Sequence, residues 1–316
     1  MDHRIKIGIS ACLLGNKVRY DGGHKLDSFL VNTLGAYLEY VPVCPEVECG
    51  MPIPREAMRL VGDPSAPRLV TLHTGKDHTE PMLLWARQKV MDLERENLCG
   101  FIFKGGSPSS GMKRVRVYGK GGVPVNKGVG LFARTFMEHF PLLPVEEEGR
   151  LHNPQLRENF VDAVFTLRRW REFLHHQPSR SELIRFHMEH KLLLLSHSPR
   201  HYRRMKKLVT TTKAFSMDKL ISKYQSMLLE MLRLKTTVKK NLNVLRHVMV
   251  YFKKNLGKDE KQELVEIFRL YAQDTLPIIV PITLINHYVR KYNQHNLKAQ
   301  HFLNPHPIEL RLRNHV

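Results

Sequence analysis

Cysteine is scarce in this chain: four residues in 316, at positions 12, 44, 49 and 99. Four are too few for a disulfide scaffold of this size and read better as ligands, nucleophiles or core thiols in a reducing compartment. Long apolar runs are missing too. No stretch reaches the roughly 18 residues needed to span a bilayer, so no membrane partner is expected from the apolar pattern. The opening Met1-Asp2-His3-Arg4 passes straight into a strand-like run without the apolar stretch of a secretory leader, and a soluble cytoplasmic protein is the expectation. Acidic side chains are in short supply: 30 Asp and Glu face 50 Lys and Arg, a formal net charge of +20. An excess of that size points to a polyanionic partner, nucleic acid first and an anionic membrane surface second.

What is present is ordinary globular material in a chain longer than one core usually supports, so two domains are expected. The charge locates their boundary. Residues 1–176 hold 24 basic against 20 acidic side chains, whereas residues 177–316 hold 26 against 10, a net +16. The shift coincides with the polar, turn-rich His175-His176-Gln177-Pro178-Ser179-Arg180-Ser181. Before it strand-like and helix-like runs alternate, and after it only helical periodicity is found. The fold class expected is therefore an α/β N-terminal domain with a mostly parallel sheet, 1–176, followed by a basic all-α domain, 177–316.

The first domain is organised around Val43-Cys44-Pro45-Glu46-Val47-Glu48-Cys49-Gly50-Met51-Pro52-Ile53-Pro54-Arg55. It follows a buried-strand pattern, Leu38 to Val43, so two thiols and two carboxylates emerge at a strand end, where α/β sites form. Prolines 45, 52 and 54 argue against a helix across the segment and for a stiff ligand loop. Soft thiolates select zinc, copper(I) or iron–sulfur clusters, and Cys-x4-Cys leaves the metal open. A first strand is expected over Ile5 to Ser10, which places Cys12 at the same sheet edge as Cys44. The loop after it, Leu13 to Gly23, carries Lys17 and Arg19, able to meet an anion. Helices are expected over 27–37, 55–61, 77–97 and 131–140, and strands over 68–72, 100–104 and 113–118. Cys99 has apolar neighbours and reads as a core thiol. Lys104-Gly105-Gly106-Ser107-Pro108-Ser109-Ser110-Gly111 offers backbone N–H groups and hydroxyls to a ligand, with Lys104 nearby.

Three separated motifs together resemble the thiouracil desulfidase family in order and spacing, over about residues 4–145. They are Ser10-Ala11-Cys12-Leu13-Leu14-Gly15 with Arg19-Tyr20-Asp21-Gly22; Val43-Cys44-Pro45-Glu46 with Gly50 and Pro52-Ile53-Pro54-Arg55; and Ser107-Pro108-Ser109-Ser110-Gly111. The resemblance implies a [4Fe-4S] cluster held by three cysteines, with one iron left open to bind the sulfur of a thiocarbonyl. It also implies hydrolysis at carbon and loss of sulfide without net redox change. Cys12 and Cys44 carry over as ligands, Glu46 as the acid/base group and Ser107 as its partner. The family's loop ends Ser-Pro-Ser-Cys-Gly, so this chain departs at Ser110, a poorer ligand for a soft iron. Cys49 is expected to supply the third thiolate, with Cys99 a distant alternative.

In the second half, amphipathic helices are expected over 181–195, 220–234, 238–254, 261–271 and 281–292. The densest basic stretch is Ser196 to Lys207, with Arg203, Arg204, Lys206 and Lys207. This half is similar to the all-helical domain that often accompanies the desulfidase domain, through Phe186-His187, Lys191, Ser196-His197-Ser198, Tyr202-Arg203, Asn243-Val244-Leu245, His247, Tyr251-Phe252-Lys253, Pro281 and His287-Tyr288. In fused chains of this type the resemblance implies removal of sulfur from 4-thiouridine in tRNA, with the helical domain holding the RNA. Two other readings stand beside it: a desulfidase of free thiolated nucleobases such as thiouracil, and a non-catalytic nucleic-acid-binding protein whose cluster or zinc is structural.

Overall fold

In the computed structural model, residues 4–119, 121–210, 215–310 and 312–315 are described; residues 1–3 of the opening run lie outside them. In chain order the first unit contains β1 (Ile5–Ser10), β2 (Leu38–Val43), α1 (Pro45–Glu48), β3 (Met58–Val61), β4 (Arg68–Thr71), α2 (Thr79–Arg95), β5 (Phe101–Phe103), β6 (Val115–Tyr118), β7 (Pro124–Gly128), α3 (Leu131–His139), β8 (Val145–Glu147) and α4 (Glu148–Leu151). Two four-stranded sheets result. The first has the order β2-β1-β5-β8 and is parallel throughout. The second, β4-β3-β6-β7, is mixed, with only its β3–β6 pair parallel.

The two central strands of the parallel sheet, β1 and β5, read in sequence as apolar runs because they are buried almost throughout. Ile7, Ile9, Phe101, Ile102 and Phe103 are fully buried. Against this sheet α2 and α3 press Ala86, Val90, Phe132 and Phe136, and the rings of Phe101 and Phe136 lie 4.6 Å apart. Gly8 is required by this packing. A Cβ there would lie 2.2 Å from the Phe101 ring, so the centre of β1 has room only for hydrogen.

Several local expectations give way to tertiary context. Pro45 does not prevent a helix but opens one, sitting at the first position of α1, where its missing N–H costs no bond. Residues 55–61 are not helical. Met58–Val61 is a strand whose Leu60 is buried between β4 and β6. Residues 27–37 are helical as expected, but as a π-helical turn, Phe29–Thr33, running into a 3₁₀ turn, Leu34–Ala36, rather than as one α-helix, with Gly35 in the second. Strands β7 and β8 carry too little apolar pattern to have been read from sequence.

The second unit contains α5 (Pro154–Leu174), α6 (Arg180–Glu189), α7 (Lys191–His197), α8 (Pro199–Thr210), α9 (Met217–Leu232), α10 (Val238–Met249), α11 (Lys258–Ala272), α12 (Ile279–Lys291) and α13 (His295–Lys298). The chain divides at Asn153/Pro154, not after residue 176. The physical reason is Trp170 on α5, fully buried and stacked on Tyr224 of α9 with centroids 5.1 Å apart and edge-on to Phe186 of α6. The net positive charge rises along the sequence, but packing sets the border. The helix expected over 181–195 breaks at His190, and Ser179 caps α6, in a reciprocal box with Glu182. A core of Leu192, Leu245, Phe252, Phe268 and Ile285 joins the later helices.

Gly8→Ala is expected to lower the unfolding free energy by about 1–3 kcal/mol through overpacking. Urea unfolding monitored by circular dichroism measures it, and an unchanged midpoint would contradict the close approach of β1 to Phe101.

Candidate active site

Parallel pairing delivers three loops to one edge of the first sheet. Ser10 and Val43 are register partners at the ends of β1 and β2, and the end of β5 lies on the other side of β1. Cys12 follows β1 on a short 3₁₀ turn, Cys44 is the cap residue of α1, and Lys104 to Gly111 follow β5. Ser10 Oγ accepts from Lys104 N at 2.9 Å and ties two of these loops together. Between them lies a cavity of about 380 Å³, whose wall includes Cys12, Cys44, Glu46, Arg55, Ser107 and Ser110.

Glu46 is the electrostatic centre of that wall. Its Oε1 accepts from Ser109 Oγ at 2.5 Å, and Ser109 Oγ is 2.9 Å from Ser107 Oγ. Its Oε2 faces the Cys44 thiol at 3.6 Å and the Arg55 guanidinium at 3.9 Å. Arg55 is itself locked in place, donating to the Val18 carbonyl at 3.0 Å, while its backbone N–H donates to Tyr20 O at 2.8 Å. The loop carrying Arg19 is thereby fastened to the loop carrying Glu46. Ser109 and Arg55 are the residues whose parts in this network the sequence did not announce. The Ser-Pro-Ser-Ser motif and the Pro-Arg pair were visible, but not which hydroxyl would meet the carboxylate.

The expected site residues divide. Cys12, Cys44, Glu46, Ser107, Arg19 and Lys104 all reach the cavity wall. Cys49 does not. Its thiol donates back to the Glu46 carbonyl at 3.4 Å, and its side chain packs against the cluster of Met51, Leu60, Leu69 and Met82. One turn of α1 separates it from Cys44 and points it to the apolar side, a consequence of the helix that the prolines were expected to forbid. Ser110 takes the place at the wall instead, almost wholly buried. Cys99 is a core thiol, 2% exposed. Lys104 is not left for a ligand: Glu148, at the start of α4, pairs with its Nζ and accepts from Gly105 N at 2.6 Å. Glu148 was missed because β8, which positions it, was missed. Glu48 accepts from Cys44 N at 2.8 Å and pairs with Lys89 at 2.8 Å, so it fixes the cysteine loop rather than lying loose.

Burial sets the state of the thiols. It pushes the Cys44 thiol up to about 12, with the negative charge of Glu46 adding to the effect. Burial also raises Cys12, against the opposing charge of Lys104. Among the described residues no group of three or more His, Cys, Asp or Glu is arranged to hold a metal ion. The donor set at the wall is two thiols and the Ser110 hydroxyl. It suits a soft iron–sulfur group at two positions, with a harder oxygen donor beside the third.

In the second unit, Arg203, Arg204, Lys206 and Lys207 are all exposed on α8, while Tyr202, Met205 and Val209 of the same helix are buried. This spacing is that of an amphipathic helix whose outer face is cationic.

Residues 7–148 match the family model described as 2-thiouracil desulfurase. Residues 191–307 match a model described only as a protein of unknown function (DUF1722). An Escherichia coli (strain K12) protein described as uncharacterized protein YbgA is 26% identical over 152 residues, 48% of this chain and 90% of that protein. Among solved structures, the [4Fe-4S]-dependent thiouracil desulfidase TudS is 33% identical, with 47% of this chain and 94% of that chain covered and a TM-score of 0.40.

In metal-free protein at pH 8, iodoacetamide is expected to alkylate Cys44 at least about tenfold more slowly than a solvent-exposed thiol, because only the thiolate reacts and a raised pKa leaves little of it. Peptide mapping by mass spectrometry reads the rate, which should climb with pH. Alkylation of Cys44 as fast as free glutathione would contradict the buried, carboxylate-flanked placement.

Proposed function

We propose, from the membership of residues 7–148 in the 2-thiouracil desulfurase family, that this chain removes sulfur from a thiolated pyrimidine by hydrolysis and releases sulfide. The observation that carries the reading is the meeting of Cys12, Cys44, Glu46, Ser107 and Ser110 on one cavity at the carboxyl ends of parallel strands. Cys12 and Cys44 would hold a [4Fe-4S] cluster, with Ser110 beside the position where a third protein donor belongs. When bound, the cluster supplies a Lewis-acidic iron for the thiocarbonyl sulfur, which makes the attached carbon a better target for water.

The chain's own residues handle the water and the proton. Glu46 stands where its Oε2 can take a proton from an attacking water, and Arg55 balances its charge from 3.9 Å. Ser107, at the cavity wall, is linked to the Glu46 carboxylate through the Ser109 hydroxyl. Thiocarbonyl plus water gives carbonyl plus hydrogen sulfide, so no electrons need be supplied.

The finer reading is that the thiolated base is 4-thiouridine within tRNA. It is supported by the net +16 of residues 177–316 and by the exposed cationic face of α8. Phosphates would be held there by Arg203, Arg204, Lys206 and Lys207, and the base would leave its stack to enter the cavity. A free thiolated base such as thiouracil is the second reading, favoured by the family's description.

Iron and acid-labile sulfide in anaerobically prepared protein test the ligand set. Cys12→Ser and Cys44→Ser should each lose the iron, Cys49→Ser should retain it, and Ser110→Cys should hold it more firmly against a chelator. Loss in Cys49→Ser alone would restore the third-thiolate role to Cys49. Sulfide release measured at 50 and 200 mM salt separates the substrates. Turnover of thiolated tRNA should fall by about tenfold or more at subsaturating RNA as phosphate contacts weaken, while turnover of 4-thiouracil should barely change. Activity on the free base alone would leave the second reading.

A further inference from the structure

Ser109 is fully buried and is not part of the cavity wall, which Ser107 and Ser110 reach on either side of it. Its single hydroxyl proton has one destination. An ionised carboxylate only accepts, so Ser109 Oγ donates to Glu46 Oε1, and at 2.5 Å this is a short, charge-assisted bond. The 2.9 Å contact with Ser107 must then run the other way, Ser107 donating and Ser109 accepting. Ser107 Oγ in turn accepts from the backbone N–H groups of Ser109 and Ser110, at 3.3 and 3.1 Å.

The loop that carries these hydroxyls has little room to shift. The first turn of α3 donates to it, Leu131 N to Pro108 O at 3.2 Å and Ala133 N to Ser109 O at 3.1 Å. A Cβ on Gly130 would lie 2.5 Å from the Ser109 carbonyl, so helix and loop are in direct backbone contact.

We propose that Ser109 is a positioning residue for the hydrolysis, an inference that rests on the desulfidase reading above. By occupying Oε1 it leaves Oε2 as the carboxylate oxygen available to the water, and by accepting from Ser107 it turns that serine's proton away from the cavity. During the reaction one water proton passes to Oε2 as the water oxygen bonds to carbon; the carbon–sulfur bond then breaks as that oxygen becomes the carbonyl, and the departing sulfur takes up both protons of the water, one of them returned from Oε2. Ser109 touches none of the reacting atoms. It acts through Glu46 and Ser107, which makes the three residues one unit.

Steady-state sulfide release from a thiolated pyrimidine, with iron content measured on every sample, tests this in a cycle of Ser109→Ala, Ser107→Ala and the double variant. Ser109→Ala is expected to reduce kcat by about 10²-fold, with KM within about twofold and iron per chain unchanged. The double variant is expected to be no slower than the slower single variant, since groups acting as one unit are not additive. Wild-type kcat in Ser109→Ala would overturn the proposal, and so would losses that multiply in the double variant. Loss of iron from Ser109→Ala would also overturn it, by making Ser109 a structural support of the loop. Iron-loaded wild-type protein that releases no sulfide from free base or tRNA is a separate failure, that of the desulfidase reading, visible before any variant is compared.

Discussion

Parallel pairing of β2, β1 and β5 is the constraint from which the site follows. Each strand ends at the same edge, so the loops after them carry Cys44, Cys12 and Ser107 to one place although they lie 95 positions apart in the chain at the extremes. That pairing in turn depends on Gly8, where a single added carbon would strike Phe101. The catalytic edge and the aromatic core beneath it are therefore built by the same three strands. A disturbance at the base of β1 would reach the site through backbone register, not through any side chain of the site.

Two cations of the site are held by groups of the first unit itself. Lys104 is paired with Glu148, and Arg55 lies against Glu46 and the Val18 carbonyl. These charges serve the architecture of the cavity, holding loops whose backbones would otherwise be left to solvent. In the second unit the excess charge stands on helix surfaces, as on α8, while its buried side is apolar. The two kinds of positive charge differ in placement: one is tied into a small polar cavity, and the other stands exposed on helix surfaces.

A carboxylate with one oxygen tied and the other open is a more defined base than a carboxylate free to rotate. Ser109 ties Oε1, and Arg55 with the Cys44 sulfur borders Oε2, so the plane of the Glu46 carboxyl is set from both sides. Preorganisation of this kind lowers the reorganisation needed when charge moves. The buried, uncharged thiols have the complementary property: their protons must leave when a soft metal binds, so loading is linked to pH.

The apolar periodicity of the chain determined β1, β2, β4, α2 and α3 to within a few residues, and the positions of Cys12, Cys44 and Glu46 at strand ends followed from it. The all-helical character of the second half was equally legible, because helical spacing is a local property. What only the tertiary structure decided was orientation. Cys49 and Ser110 are both plausible donors by residue order, yet one turn of helix after Pro45 sends Cys49 into apolar packing, and the contacts of α3 keep Ser110 at the wall. The helix of residues 154–174 joined the second unit because Trp170 finds its stacking partner there, a contact 54 residues away that no local pattern encodes. Local sequence fixes which surfaces want burial; which partner buries them depends on the whole folded chain.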